Sequence, residues 1–265
     1  MQKTFTDQLN RQVVVNYPPK QIISLVPSQT ELLFELGLKD EIIGTTKFCV
    51  HPEKSCAAKT KVGGTKKLNI ELIRGLKPDL IIGNKEENSK ADIDLLAEEF
   101  PVWMSDVSNL EEAMLTITQI AELVDRQPEA AYLNFLINAG FTDLQTLALQ
   151  HGIDKKVAYL IWKDPFMAAG RHTFISDILM KTGLTNVIKE DRYPEISLEH
   201  LISLEADIIF LSSEPYPFKE KHLEELKAAL PGSKIMLVDG QIFSWHGSRM
   251  VKAVQYLFQL QKELN

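Results

Sequence analysis

Along this chain, short runs of branched apolar residues alternate with amphipathic stretches, and the alternation runs through twice. Ile22–Val26 is apolar apart from Ser24, the pattern of a strand covered on both faces. Ser28-Gln-Thr-Glu31 follows with the spacing of a capping box and predicts a helix over Leu32–Leu36 that stops at Gly37. Leu80–Ile82 and Val102–Met104 predict further strands, with helices over Ala91–Glu99 and Leu110–Val124. Beyond Pro128, a residue suited to a first helical turn, Leu133, Leu136, Ile137, Gly140, Leu144, Leu147 and Ala148 recur at three- and four-residue intervals to about Gln150. One long helix is expected there. Strands over Val157–Trp162, Asp207–Leu211 and Lys234–Val238 and a closing helix over Val251–Glu263 then repeat the first alternation. The fold class is α/β, organised as a first lobe over 1–125, a bridging helix over 126–151 and a second lobe over 152–265.

The two halves share a segment. Asn69-Ile-Glu-Leu-Ile-Arg-Gly-Leu-Lys-Pro-Asp-Leu-Ile-Ile82 matches Ser197-Leu-Glu-His-Leu-Ile-Ser-Leu-Glu-Ala-Asp-Ile-Ile-Phe210 in its order of polar and apolar positions. In each copy Asn69 or Ser197 caps a short helix, Glu71 or Glu199 falls in the first turn where the helix dipole favours a carboxylate, and Asp79 or Asp207 leads into a strand. By themselves these positions describe a recurring helix–turn–strand unit whose glutamates cap helices.

Charge narrows the partners. A net charge of −7 with lysines scattered rather than clustered excludes a phosphate backbone, so no nucleic-acid partner is expected. No stretch approaches the roughly 20 apolar residues of a membrane span, and the first fifteen residues lack a basic segment followed by an apolar run, so no secretory signal is expected in the sequence as it stands. Cys49 and Cys56 are too few for a disulfide framework, and their spacing leaves open whether they are bridged or free. Neither a phosphate-binding glycine loop nor a nucleophile elbow is present, and His246-Gly-Ser248 lacks a third catalytic partner, so catalysis is not expected. Cys49, His51 and His246 carry the donor types that zinc, copper or iron would take, in loops, as direct or axial ligands. His151, His172, His200 and His222 fall on helices or helix ends and are expected at the surface.

The order and spacing of QIISLVPSQTELLFELGL, KFCVHPE, KVGGTKKLNIELIRGLKPDLII, the long central helix and SLEHL…ADIIFLSSEPYPF resemble the substrate-binding proteins of ABC importers for vitamin B12, ferric siderophores and haem. The resemblance spans essentially the whole chain. It implies a class III periplasmic binding protein: two Rossmann-like lobes bridged by one rigid helix, a chelate captured in the cleft between them, no permanently bound cofactor, a single-copy protein and a periplasmic place of work. It implies that Glu71 and Glu199 dock onto the permease subunits. It places Phe48, Trp162, Phe166, Tyr193 and Trp245 against the ligand, with Arg249 as a basic group for a ligand carboxylate or phosphate and Ser28 completing the set. Where vitamin B12-binding members carry tryptophans this chain has Thr65 and Asn84, so part of a corrin-stacking surface is missing. Two other functions fit the same architecture: a cytosolic chelate carrier or sensor, and a two-lobed enzyme holding its substrate between the domains.

Overall fold

Residues 1–264 are described by a computed structural model, and they divide into two units. The first comprises residues 1–107, 111–135 and 246–249. It opens with an antiparallel hairpin, β1 (Gln2–Thr6) and β2 (Gln12–Asn16), that the sequence reading did not anticipate. Val13 and Val15 point into the core, while Gln12, Val14 and Asn16 face outward. The loop is closed by the buried Asp7, which accepts from the backbone N–H of Leu9 and Arg11 and from the Arg11 side chain. The strands β3 (Ile22–Ser24), β4 (Ile42–Thr45), β5 (Thr60–Lys61), β6 (Leu80–Asn84) and β7 (Val102–Ser105) then form one parallel sheet in the order β5-β4-β3-β6-β7. Helices α1 (Pro27–Glu35), α2 (Glu53–Ala57), α3 (Ile70–Leu76), α4 (Lys90–Ala97) and α5 (Leu110–Val124) connect or follow them.

The capping box expected at Ser28 does not form. Helix α1 begins at Pro27, whose fixed φ suits the first position, and its N-cap is the extended Val26, which has no side-chain acceptor. Glu31, freed from a capping role, pairs elsewhere.

Helix α6 (Gln127–His151) begins in the first unit and ends in the second, the assignment changing between Phe135 and Leu136. The second unit, residues 108–110, 136–245 and Met250 onward, has a sheet of β8 (Lys155–Trp162), β9 (Phe166–Ala168), β10 (Leu184–Asn186), β11 (Glu195–Ile196), β12 (Ile208–Ser212) and β13 (Lys234–Val238). The order is β11-β9-β8-β12-β13, with β10 also on β8. Strands β8, β10, β12 and β13 run parallel, whereas β9 and β11 are antiparallel additions. Helices α7 (Phe174–Lys181), α8 (Leu198–Ser203), α9 (Glu220–Ala229), α10 (Gly240–Ser244) and α11 (Met250–Leu264) complete it. The core of this unit centres on Ala158, Leu160, Ile209, Leu211 and Ile235; that of the first on Ile23, Leu25, Ile73, Ile81 and Met104.

The duplicated segment builds the same device twice. Asn69 caps α3 by accepting from the Leu72 N–H at 3.1 Å, and Ser197 caps α8 by accepting from the His200 N–H at 3.1 Å. Both helices end beside a left-handed residue, Lys77 (φ 51°) or Glu205 (φ 46°). The aspartate that follows then holds the entrance of the neighbouring strand. Asp79 accepts from the backbone N–H of Lys20 and Gln21, each at 2.8 Å, ahead of β3, and Asp207 accepts from Lys156 N–H at 2.7 Å in β8. Each carboxylate thereby registers a strand pair, β6 with β3 and β12 with β8.

Candidate functional site

In each sheet the chain builds outward on one side of a central strand and then returns to the other: β3 to β4 and β5 before β6, and β8 to β9 and β10 before β12. The carboxyl ends of the central strand and its late neighbour mark the switch point where open α/β sheets leave room for a ligand. The loops leaving those ends are therefore the candidate site of each unit.

In the first unit the strands end on small polar residues: Ser24, Thr45, Asn84 and Ser105. Asn84 and Ser105 are joined into a buried network. Gln29 Nε2 donates to Ser105 Oγ at 2.5 Å, and Asn84 Nδ2 donates to the same oxygen at 3.0 Å. Asn84 Oδ1 accepts from the N–H groups of Glu86 and Glu87, and Asn88 bridges from the Asn84 N–H to the Thr65 carbonyl. Thr65 and Asn84, the two positions lacking an aromatic ring, are thus tied into one polar frame. Phe48 stands on the loop after β4, half exposed, with Lys47 Nζ 5.1 Å from its ring centre. A Cβ on Gly64 would come within 3.2 Å of this ring, so glycine at that position lets the two loops meet.

Residues 246–249 pack against α1 in the same unit. A Cβ on Gly247 would lie 3.0 Å from the Ser28 carbonyl oxygen, which fixes how closely the segment approaches. Arg249 makes a two-point ion pair with Glu31, Nε to Oε2 at 2.8 Å and Nη2 to Oε1 at 3.0 Å, with both side chains buried. Its guanidinium was expected to meet a ligand anion; the structure commits it to Glu31. Ser28 is buried in the first turn of α1. His246 is buried, and loss of hydration pulls its pKa down to about 4, so the ring is neutral at physiological pH.

The second unit presents aromatic side chains instead. Trp162 closes β8, 40 % exposed, and its ring meets Tyr216 edge-on at 5.6 Å. Tyr216 packs in turn on Phe218 at 4.8 Å, and its hydroxyl lies 3.3 Å from His222 Nε2. His222 Nδ1 accepts the Lys219 N–H at 3.0 Å. That bond assigns the proton to Nε2, so His222 is a neutral donor toward Tyr216. Burial, reinforced by Lys163 and Lys221, lowers its pKa, and the surface position expected for it is corrected accordingly. Phe166 begins β9, half-buried on the core, and lines a cavity of about 140 Å³ with Lys163, Leu198, His222 and Leu226. Tyr193 lies half-buried two residues before β11.

Trp245 departs from expectation. It is 6 % exposed, and its indole N–H donates to Glu214 Oε1 at 2.7 Å, where Ser244 Oγ also donates. Burial raises the Glu214 pKa against those two bonds. The indole is part of a buried arrangement and offers no open stacking face.

The proposed metal donors are not assembled into a cluster. Among the described residues no group of three or more histidine, cysteine or carboxylate side chains is placed to hold an ion. Cys49 is buried against the hydroxyls of Thr30 and Thr46, and burial raises its pKa. Cys56 donates to the His51 carbonyl and its pKa is pushed up to about 11, chiefly by burial. Both thiols are free, which settles the pairing left open by their spacing.

Tyr216, Glu214, Gln29 and Ser105 were not singled out from sequence. Tyr216 had a signal, since it sits four residues past a buried strand end where such sheets place ligand loops. The partners of the others lie far along the chain.

The two short capped helices differ in detail. Glu71 is exposed and paired to Arg74 at 2.5 Å, and Arg74 also holds Glu99. Glu199 is exposed, with its pKa lowered by its own backbone N–H and then by the Ser197 hydroxyl.

Comparison with known proteins bears on what such an arrangement serves. The periplasmic binding protein family model matches residues 22–232. The chain is 25% identical over 268 residues to an uncharacterized ABC transporter substrate-binding lipoprotein of Bacillus subtilis, covering 96% of this chain and 83% of that one. It is 26% identical over 207 residues to the vitamin B12-binding protein of Vibrio campbellii, covering 74% and 72%. Among solved structures, the apo periplasmic heme-binding protein from Roseiflexus superposes with a TM-score of 0.80 at 20% identity, over 92% of this chain and 98% of that one. The periplasmic vitamin B12 binding protein of Vibrio cholerae gives 0.79 at 21%, over 93% and 98%. These two likenesses establish the fold. Among the described residues no helix is long and apolar enough to cross a membrane. The family match covers most of the chain, from β3 to α9, and the chain belongs to the periplasmic binding protein family.

Proposed function

We propose that this chain is the substrate-binding component of an ABC importer and that its cargo is a metal chelate or metallomacrocycle: a corrinoid, a haem or a ferric siderophore. The observation that carries the reading is the family match to residues 22–232 together with exposed aromatic faces on loops leaving the sheets' carboxyl ends. Trp162 and Tyr216 offer the second unit's faces, and Phe48, on the loop after β4, offers the first unit's. The relatives that bind vitamin B12 or haem supply the ligand class. The chelate is cargo rather than a resident group, and capture needs no bond making by the protein.

Titration with cobalamin, cobinamide, haem and a panel of ferric siderophores, followed by absorbance and thermal shift, should find a ligand, and uniform silence would refute the reading. Trp162→Ala should weaken the ligand so found by about tenfold, the loss of one stacked ring. Glu71 and Glu199 are the permease contacts in this proposal. Each stands exposed on the first turn of a short capped helix, where a carboxylate can meet a cationic partner at long range. Reversing both to lysine should abolish uptake in cells carrying the importer while ligand affinity is unchanged; undiminished uptake would remove them from docking.

A further inference from the structure

Helix α6 is apolar on two opposite sides. Ala130, Leu133, Ile137, Phe141, Leu144 and Ala148 are buried and, at about 100° per residue, share one face. On the reverse, Tyr132, Phe135 and Leu149 are 65%, 67% and 83% exposed. Together with the exposed Pro128, Ala139, Thr142 and Thr146 they recur at alternating intervals of four and three residues. That is the spacing of a coiled-coil seam, sustained for three heptads. The outer midline of a solvated helix normally carries charge, yet no position of this seam does. Exposed apolar surface in such a row marks a contact with something else.

We propose that a second copy of this chain docks here, α6 against α6 in antiparallel orientation. The stripe is complementary to itself in that sense. About a two-fold axis passing between Gly140 and Phe141, Tyr132 meets Leu149 of the other copy, Phe135 meets Thr146, and Ala139 meets Thr142. Each aromatic ring therefore lies against an aliphatic or small side chain, as a knob requires a hole. Parallel pairing would set Phe135 on Phe135 and Thr146 on Thr146, crowding one layer and emptying another. Pairing buries no charge at the seam, while the net charge of −7 on each copy opposes approach at long range. Salt should therefore strengthen the dimer. The seam is about 33 Å long and offers roughly 600 Å² per copy, roughly 1,200 Å² in all, at the lower end for a specific interface. The association is correspondingly a weak one, half-complete at tens of micromolar by order of magnitude. It departs from the single-copy expectation and is independent of the cargo.

Sedimentation velocity of the full chain from about 1 to about 200 µM tests this at low and high salt. The weight-average mass should climb from 30.0 kDa toward twice that value with concentration. Phe135→Glu should hold the mass at one copy throughout, and its circular dichroism and Tm should match the parent because the ring is outside the core. Under mild oxidation the double variant Ala139→Cys/Thr142→Cys should form a covalent dimer and Ala139→Cys alone should not; Cys49 and Cys56 are buried and contribute no background. A single-copy mass at every concentration would overturn the proposal, as would an undiminished dimer in Phe135→Glu or cross-linking of Ala139→Cys alone. A chain that stays single in solution but sediments with phosphatidylglycerol vesicles would assign the seam to a membrane surface instead.

Discussion

The carboxyl edges of the two sheets are built from opposite materials on equivalent frames. In the first unit the strand ends are small hydroxyls and amides, with Asn84 and Ser105 locked together and to Gln29, and the nearest charged group on α1 is bound to Arg249. In the second, β8 ends on a tryptophan and the loop after β12 brings Tyr216 and Phe218 beside it. Beneath both edges, Asp79 and Asp207 perform the same backbone clamp. The comparison separates two kinds of constraint. Strand registration needs a fixed carboxylate at a fixed place and has been kept in both halves; the edges, facing outward from a finished sheet, answer to whatever they contact.

The largest test of the contrast is Arg249→Ala. It takes two charge-assisted bonds from the buried Glu31 carboxylate and should cost about 3–5 kcal/mol in urea unfolding. Glu214→Gln in the second unit keeps an acceptor for Trp245 and Ser244 and should cost far less. If the two variants lost equal stability, the first unit's edge would not be the more tightly tied of the two.

That ion pair also shows where sequence stops being informative. Glu31 and Arg249 are 218 residues apart, and no local window connects them. Read locally, Glu31 fits a capping box, and Arg249 is a basic group for a ligand anion; the structure pairs them with each other, because tertiary pairing outweighs a local cap. The burial of Trp245 was illegible for the same reason, its partner Glu214 lying 31 residues away. Elements held by their own periodicity were legible: β13 and α5 fall where the pattern put them, and α6 and α11 lie within a residue or so at each end. The hairpin β1–β2 was not, because a two-strand ribbon with one buried face shows only Val13 and Val15 as signal. The antiparallel pair β9–β11 was equally silent, being two and three residues long.

Acid should probe the two edges with opposite sign. His246 is held neutral by burial, its pKa falling from 6.5 to about 4. The unfolded chain then binds a proton that the folded chain refuses, so stability is lost as pH falls from 6.5 toward 4, by about 3 kcal/mol in all. Burial raises the Glu214 pKa, so its contribution runs the other way: present below the ordinary glutamate range and lost as pH rises through the raised value. Unfolding free energies measured from pH 7 to 4 should show the His246 slope, and His246→Gln should flatten it. A variant with an unchanged slope would assign the acid response to other groups.

The clamp itself gives a smaller and graded effect. Asp79→Ala removes two backbone bonds and should cost about 2 kcal/mol, whereas Asp207→Ala removes one at a more exposed site and should cost about 1 kcal/mol. Equal losses would mean that the carboxylates act through something other than the strand entrances.

The smallest effect expected is the one most telling about the duplicated glutamates. Glu71 and Glu199 sit on solvent-facing first turns, so Glu71→Gln and Glu199→Gln should each change stability by less than about 0.5 kcal/mol. Their surroundings differ nonetheless. Arg74 already neutralises Glu71 and reaches on to Glu99, while Glu199 leans on its own N–H and the Ser197 hydroxyl. Removing the caps is a different matter: Asn69→Ala and Ser197→Ala should each cost about 1 kcal/mol, because a donor at the helix start loses its acceptor. Frame and exposed carboxylate are therefore separable by mutation on the same short helix. If the glutamine variants unfolded as readily as the cap variants, Glu71 and Glu199 would belong to the frame, and their exposure would need no partner to explain it.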